Sequence, residues 1–411
     1  MPTTSSLVPG SAAQASARTP LPLPLPTGGH WSVARGFARK CLPAGARLPA
    51  GALMAAAVGW VAMGSCSAAS ASSVTIYGIY DLGLTQVSNI AGSSVTRMDD
   101  SILQGNRLGF RGLEELGGGL SAFFTLEMGF AGDTGALRQG GLGFGRASLV
   151  GLSHKSWGEF SMGRQFDQMN TTLIRFSPVL GAGIYSATVG DADRVGGNWL
   201  NNMVTYRSPV IANFRFTGQY SFSENGTSTT NAGRAYSIGV TYARDGFNAG
   251  AAMTEIRGST ITPGAALGVS QFMGAPIGKS TPVKLSNYRT AGAGAGYTMG
   301  RATLSALATH TRYESEAGRT QALSSFAIPL AYRLTDQWQL QAAFSQSRMA
   351  QSRWRNTSLI ADYLLSKRTD LYVSAHWEKA SGDGTSAVLF TLPGSSTSRQ
   401  SALRVGLRHR F

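Results

Sequence analysis

The residues able to do chemistry are arginines and carboxylates, set around one long irregular stretch. Residues 168–201 (QMNTTLIRFSPVLGAGIYSATVGDADRVGGNWLN) read as no regular strand. They have Asp167, Asp191 and Asp193 near their ends, with Arg175, Arg194 and several apolar residues between. A connection this long is functional or disordered, and this one is too apolar for a solvated tail. Arg107 and Arg111 stand opposite Leu108 and Phe110 in a two-residue alternation; Arg215 and Glu127 take the polar side of similar runs. Carboxylates and guanidiniums on facing walls of a water-filled passage make a transverse field that sorts ions by sign and size. The plainer alternative is that such side chains only solvate an inner face.

Bond-making chemistry has little support. There is no Gly-x-Ser-x-Gly elbow, no metal-type His/Cys cluster and no phosphate-binding glycine loop. His376 shares a strand face with Glu378, and a lone His-x-Glu is weak grounds for catalysis. No catalytic residue, metal or cofactor is expected.

The elements that must position these side chains are strands. The chain is 43% hydrophobic yet only 14% charged, with 52 glycines. Soluble domains carry nearer about a quarter charged residues. Period-2 alternation begins at 74–85 (VTIYGIYDLGLT) and is cleanest at 213–222 (NFRFTGQYSF). Further strands are expected at 107–113, 120–130, 144–152, 159–167, 202–207, 236–243, 247–255, 288–297, 302–312, 321–333, 338–348, 353–364, 371–379 and 400–411. Connections alternate short (116–119, 155–158, 208–212, 244–246, 299–301, 335–337, 366–370) with long (88–106, 132–143, 223–234, 257–287, 381–398). About sixteen strands with short turns on one rim and long loops on the other describe an all-β, transmembrane antiparallel β-barrel. Lipid offers edge N–H and C=O groups no partner, so such a sheet must close. A soluble sandwich would have to bury too many outward aromatics in one core.

Residues 1–71 lie outside this pattern. A basic patch (Arg35, Arg39, Lys40, Arg47), an apolar core at 50–63 and Ala69-x-Ala71 have the layout of a secretory signal peptide cut after Ala71. Residues 1–30 exceed what a leader needs and are read as an extension from an upstream start codon. A lipoprotein reading through Cys66 fits poorly, because Met63-Gly64-Ser65 precedes it. Cleavage removes both cysteines (Cys41, Cys66) and the bases Arg18, Arg35, Arg39, Lys40 and Arg47 with no acid. The formal charge of +15 thus falls by five, to +10. That excess is scattered one or two arginines per strand, so no nucleic-acid partner is expected.

Several segments together resemble the general porins of Gram-negative bacteria, of beta-proteobacterial type. They are SSVTIYGIYDLGL (72–84), NRLGFRGLEELGGGLSAFFTLEMGF (106–130), FGRASLVGL (144–152), WGEFSMGRQFD (157–167), YLLSKRTDLY (363–372) and VGLRHRF (405–411). The resemblance covers nearly all of 72–411. It implies a homotrimer of sixteen-stranded barrels in the outer membrane, in contact with lipid and lipopolysaccharide and passing small hydrophilic solutes. It also implies a third extracellular loop, here 168–201, folded into the pore. The family's wall arginines match Arg107, Arg146 and Arg207, and the loop's acids Asp167, Asp191 and Asp193 are expected to face them across the constriction. Alternation agrees for Arg107 and Arg207 and is mixed for Arg146, whose face holds Phe144 and Val150. Arg111, Arg215 and Glu127 are further lumen candidates, and the arginine excess predicts a preference for anions. Arg164 shares the outward face of Phe160, Met162 and Phe166, so it is expected near the rim or at a trimer contact, facing an acid such as Asp133. Phe411, after Leu403, Val405, Leu407 and His409 on one face, resembles the signal read by the outer-membrane insertion machinery. Contrasting readings are a substrate-specific channel, a structural surface barrel and a barrel hydrolase.

Overall fold

The computed structural model describes residues 73–223 and 233–411. The leader, both cysteines and most of the 223–234 connection lie outside the described residues.

The strands, in order, are β1 (Ser73–Ile90), β2 (Ser93–Asp100), β3 (Arg107–Gly117), β4 (Leu120–Gly129), β5 (Ala147–His154), β6 (Gly158–Phe166), β7 (Trp199–Arg207), β8 (Phe214–Ser221), β9 (Ala235–Arg244) and β10 (Phe247–Ile261). A two-residue hairpin, β11 (Gln271–Phe272) and β12 (Ala275–Pro276), lies in the next connection. Then follow β13 (Val283–Met299), β14 (Ala302–Ser315), β15 (Thr320–Arg333), β16 (Trp338–Met349), β17 (Ser352–Leu364), β18 (Thr369–Ser381) and β19 (Arg399–Arg410). Three short helices sit in connections: α1 (Gln168–Leu173) and α2 (Val179–Ala182) after β6, and α3 (Pro263–Leu267) after β10.

All neighbours are antiparallel, and the sheet closes where β1 meets β19, from Ile79 opposite Arg410 to Val87 opposite Ala402. The other edge of β1 is shared. β3 takes its first part, Ser73–Ile79, and β2 takes Leu82 onward. β2 and β3 therefore form one stave interrupted at 101–106, and the barrel has sixteen staves. This corrects one expectation: 88–106 is not a free loop, because 93–100 extends the first hairpin. The sequence SSVTRMDD hides that strand because it carries no regular apolar alternation, the signal from which strands are read.

Outward positions are apolar and exposed, as a lipid-facing surface must be: Val74 and Ile76 are 66% and 61% exposed. Trp157, Phe214, Phe247, Tyr297, Tyr332 and Trp338 are exposed beside the short turns and form an aromatic girdle at the periplasmic rim. At the other rim the connections fold inward. Val189 and Ala192 of the long stretch pack with Leu267, Val269, Phe272 and Trp354 into an apolar cluster in the barrel mouth.

Candidate functional site

The stretch after β6 is folded against the inner wall. Asp167 caps α1 by accepting from the Asn170 amide, and the Gln168 amide donates to Ser237 Oγ at 2.8 Å. α1 lies against wall positions that have no side chain. A Cβ on Gly294 would stand 2.5 Å from the Phe176 ring, and one on Gly239 would stand 2.4 Å from Thr172 Oγ1. Gly292 and Gly294, in the run Ala291–Gly296 (AGAGAG) of β13, are thus a seat for Leu173 and Phe176. Met169, Leu173, Ile174 and Phe176 are buried there with Ala252, Leu307 and Ala327. Each fully buried side chain of this size contributes about 1.5–3 kcal/mol, enough to hold a chain with little regular structure.

From α2 the chain crosses to the far wall. The Ile184 amide donates to Ile102 O at 2.8 Å, Asn356 Nδ2 donates to Tyr185 O at 2.9 Å, and the Tyr185 hydroxyl donates to Asp99. It then returns to β13 and β14, where Tyr288 and Thr311 both donate to Ala192 O, at 2.6 and 3.0 Å.

The cationic wall is built on β3, β4 and β5. Tyr77, Gly109 and Glu127 fall in one cross-strand row. A Cβ on Gly109 would stand 2.4 Å from the Tyr77 ring, so only glycine lets that ring lie flat across β3. Its hydroxyl thereby donates to Glu127 Oε2 at 2.8 Å. Arg146 Nε donates to Glu127 Oε1 at 2.7 Å, and its guanidinium lies 5.3 Å from the Trp199 ring centre. The Arg146 side chain runs over Gly129, the register partner of Arg107. Arg111 lies 4.5 Å over the Tyr77 ring and is exposed. Arg107 and Arg146 are each 1% exposed, so they act on the lumen through their field rather than by contact. Three guanidiniums here face one carboxylate.

The other expected site residues are placed as follows. Arg207 faces inward but stands at the β7 end, beside the short turn, paired with Glu159 at 3.1 Å. It is not beside Arg107 and Arg146: alternation fixes which face a side chain takes, not its height. Asp167 is held by Arg194 Nε at 2.6 Å, within the loop. Burial works against the Arg194 charge, but Asp167 and Tyr288 outweigh it and its pKa ends above the ordinary value. Asp191 and Asp193 lie on the β13–β14 side, across the lumen from β3–β5, yet they are turned away from it. Asp191 accepts from the Gly196 amide at 2.6 Å and from Asn198 at 3.2 Å; Asp193 accepts from the Val195 amide and from Thr309. Burial, and for Asp191 also the neighbouring Asp193 charge, pushes both carboxyls up from their usual range. Arg215 projects inward from β8. Arg164 keeps its place near the rim, but its acceptors are in its own chain, Gly145 O at 2.7 Å and Asn201. Asp133 is not among its partners. Phe411 exchanges backbone hydrogen bonds with Gly78 at 3.0 and 3.1 Å.

A second polar cluster involves none of the expected site residues. Arg404 of β19 is fully buried and pairs with Asp81 and Asp99, while its Nε donates to the Tyr372 hydroxyl at 2.7 Å. That hydroxyl donates in turn to Asp81 at 2.6 Å. This cluster spans the closing seam, and Asp99 is also the anchor of Tyr185. Asp81 and Arg404 lie at opposite ends of the chain, and period 2 places both inward, so the facing pattern was the available signal. Their pairing follows only from the seam register.

A closed lipid-facing barrel with an internal loop and charged walls defines a diffusion channel of the outer membrane. The comparisons agree. A family model described as Gram-negative porin matches residues 52–383. Outer membrane porin protein 32 of Delftia acidovorans is 30% identical over 364 residues, 84% of this chain and 96% of that protein. An outer membrane porin protein of Bordetella pertussis is 31% identical over 222 residues, 47% of this chain and 56% of that protein. The anion-selective porin from Comamonas acidovorans superposes with a TM-score of 0.69 at 25% identity, covering 83% of this chain and all of that one. The trimer form of OmpT from Vibrio cholerae, at 13% identity and TM-score 0.60, shares the fold. The chain belongs to the Gram-negative porin family, and it is a general diffusion porin of the outer membrane.

Proposed function

We propose that this pore passes small hydrophilic solutes with a preference for anions, as a homotrimer, and catalyses nothing. The observation that carries the preference is an imbalance of available charge. The carboxylates of Asp167, Asp191 and Asp193 are taken up by donors of the loop and of β14, whereas Arg111, Arg175 and Arg215 stand in no ion pair among the described residues. Water in the lumen therefore meets net positive charge, from Arg107, Arg146 and Arg111 on one wall and from Arg175 and Arg215 beyond the loop. The similar Comamonas protein is described as anion-selective, which supports the same sign here. A KCl gradient across planar bilayers tests it: a reversal potential of anion sign is expected, and cation preference would overturn the reading.

Trimer assembly is supported by the trimer form of the Vibrio protein. Purified protein should migrate as a heat-modifiable trimer, and a monomer in mild detergent would contradict it. Arg164 contributes to that contact only through surface not already engaged by Gly145 and Asn201. Lipid and lipopolysaccharide on the apolar face, insertion through a signal ending in Phe411, and cleavage after Ala71 complete the reading. Amino-terminal sequencing of the outer-membrane form checks the last point, with Ser72 expected. Against a hydrolase stands the position of Ser358 and His376. They pair at 2.8 Å, but both are buried, with His376 against the Tyr185 ring, where no solute reaches them.

A further inference from the structure

Below α1, the β8–β10 wall carries a second group of cations that the constriction does not use. The turn at 174–176 is fixed by Phe176, whose ring presses on Gly294 and Gly250. This aims Arg175 toward the short-turn side, where Nη1 comes within 3.5 Å of Asn248 Oδ1. On β8, Arg215 is in register with Thr241 of β9, and Thr241 with Gly250 of β10. Strands about 4.8 Å apart put Arg215 roughly 10 Å along the wall from Gly250, within the joint reach of two arginine side chains. Burial lowers the pKa of Arg175, and the Arg215 charge lowers it further.

Neither Arg175 nor Arg215 stands in an ion pair among the described residues, and Glu159, Asp167 and Asp245 are taken by Arg207, Arg194 and Arg244. The Arg215 Nε is enclosed with no hydrogen-bond partner. A planar guanidinium fork left without an acceptor suits an anion with several oxygens. Thr241 and Asn248 add polar groups between the two forks.

We infer that Arg175, Arg215, Thr241 and Asn248 form an oxyanion subsite on the periplasmic side of the loop, for a small dianion such as inorganic phosphate or a dicarboxylate. It deepens the anion-passing reading and rests on it: an anion that clears the constriction is held here before release. Chloride, a single atom that cannot bridge two forks, is held less.

The test is single-channel recording in KCl at pH 8 with the full protein, titrating inorganic phosphate and, separately, succinate. Concentration-dependent block is expected in the wild type. Arg175→Gln and Arg215→Gln should each raise the half-blocking concentration at least tenfold, whereas Arg244→Gln, at the exposed turn, should not. The more effective dianion identifies the ligand class. Shifts under twofold in both site variants, or equal shifts in all three, would overturn the subsite. If Arg215→Gln fails to assemble, Arg175→Gln, an exposed side chain, decides alone. Cation preference in KCl combined with arginine-dependent phosphate block would sink the anion preference and leave the subsite standing. Anion preference without that block would do the reverse.

Discussion

Tyr185→Phe isolates the latch that ties the pore loop to the closing seam. The substitution removes one O–H and leaves the ring in its cluster with Val87, Ile102 and Leu389. Asp99 keeps Arg404 and Thr85 on Oδ1, and Arg97 Nε stands 3.8 Å from the Oδ2 that loses the hydroxyl, so the carboxylate still has cationic partners. A hydrogen bond to a charged group contributes about 1.5–3 kcal/mol. With the carboxylate still paired, the lower part of that range applies, about 1.5–2 kcal/mol. At about 1.4 kcal/mol per tenfold, the detached state of the loop tip should become roughly 10–30 times more populated. Amide exchange reads that population directly. The reporters are Ile184, whose N–H is bonded to Ile102 O, and Ala187, bonded to Ile184 O. Both should exchange faster by that factor, while amides of β14 stay unchanged. Exchange at Ile184 and Ala187 within twofold of wild type would refute the latch.

Two other expectations follow from the same loop. Gly294→Val puts a branched side chain where the Phe176 ring lies, an overpacking of about 1–3 kcal/mol. The loop should lift from the wall into the lumen, lowering single-channel conductance; unchanged conductance would show that the turn at 174–176 has no fixed seat. The pH response has a definite sign. Asp191 and Asp193 have carboxyl pKa values raised in the folded state by burial. Their neutral forms are therefore favoured there. That stabilisation is complete below the unfolded value of about 3.9 and is lost as pH rises through the folded value. Protection factors of the Val195 and Gly196 amides, with exchange corrected for its intrinsic base catalysis, should rise on acidification, and Asp191→Asn should flatten the response; protection that falls in acid would contradict the sign.

The strand count and the lipid face were legible because period-2 alternation is written by the lipid itself: Val74, Ile76 and Phe216 must face it. Where strands lack that alternation, as at 93–100, the signal ends and a loop is read instead. Facing was legible for Arg107, Arg111 and Arg207, but height was not, so Arg207, expected at the constriction, stands instead by the periplasmic rim. The acids of the loop could be placed inside the barrel from its length and apolar content. Their partners could not, since Asp167 meets Arg194 and Asp193 meets Thr309 through a path with no period. Arg404, Asp81 and Tyr372 sit on readable inward faces, yet their contact depends on the register of the first and last strands. The glycines of 291–296 could have marked the seat of the loop, because a run without side chains in a wall strand leaves room for something to lie on it.

The central claim is that unengaged guanidiniums, against carboxylates already satisfied within the loop, set the sign of selectivity. The most direct measurement is the reversal potential of the purified channel under a KCl gradient, compared between wild type and Arg111→Gln/Arg175→Gln, two exposed arginines in no ion pair among the described residues. The account predicts an anion-selective wild type whose potential moves toward zero in the double variant. A cation-selective wild type, or a double variant with undiminished anion selectivity, would contradict it.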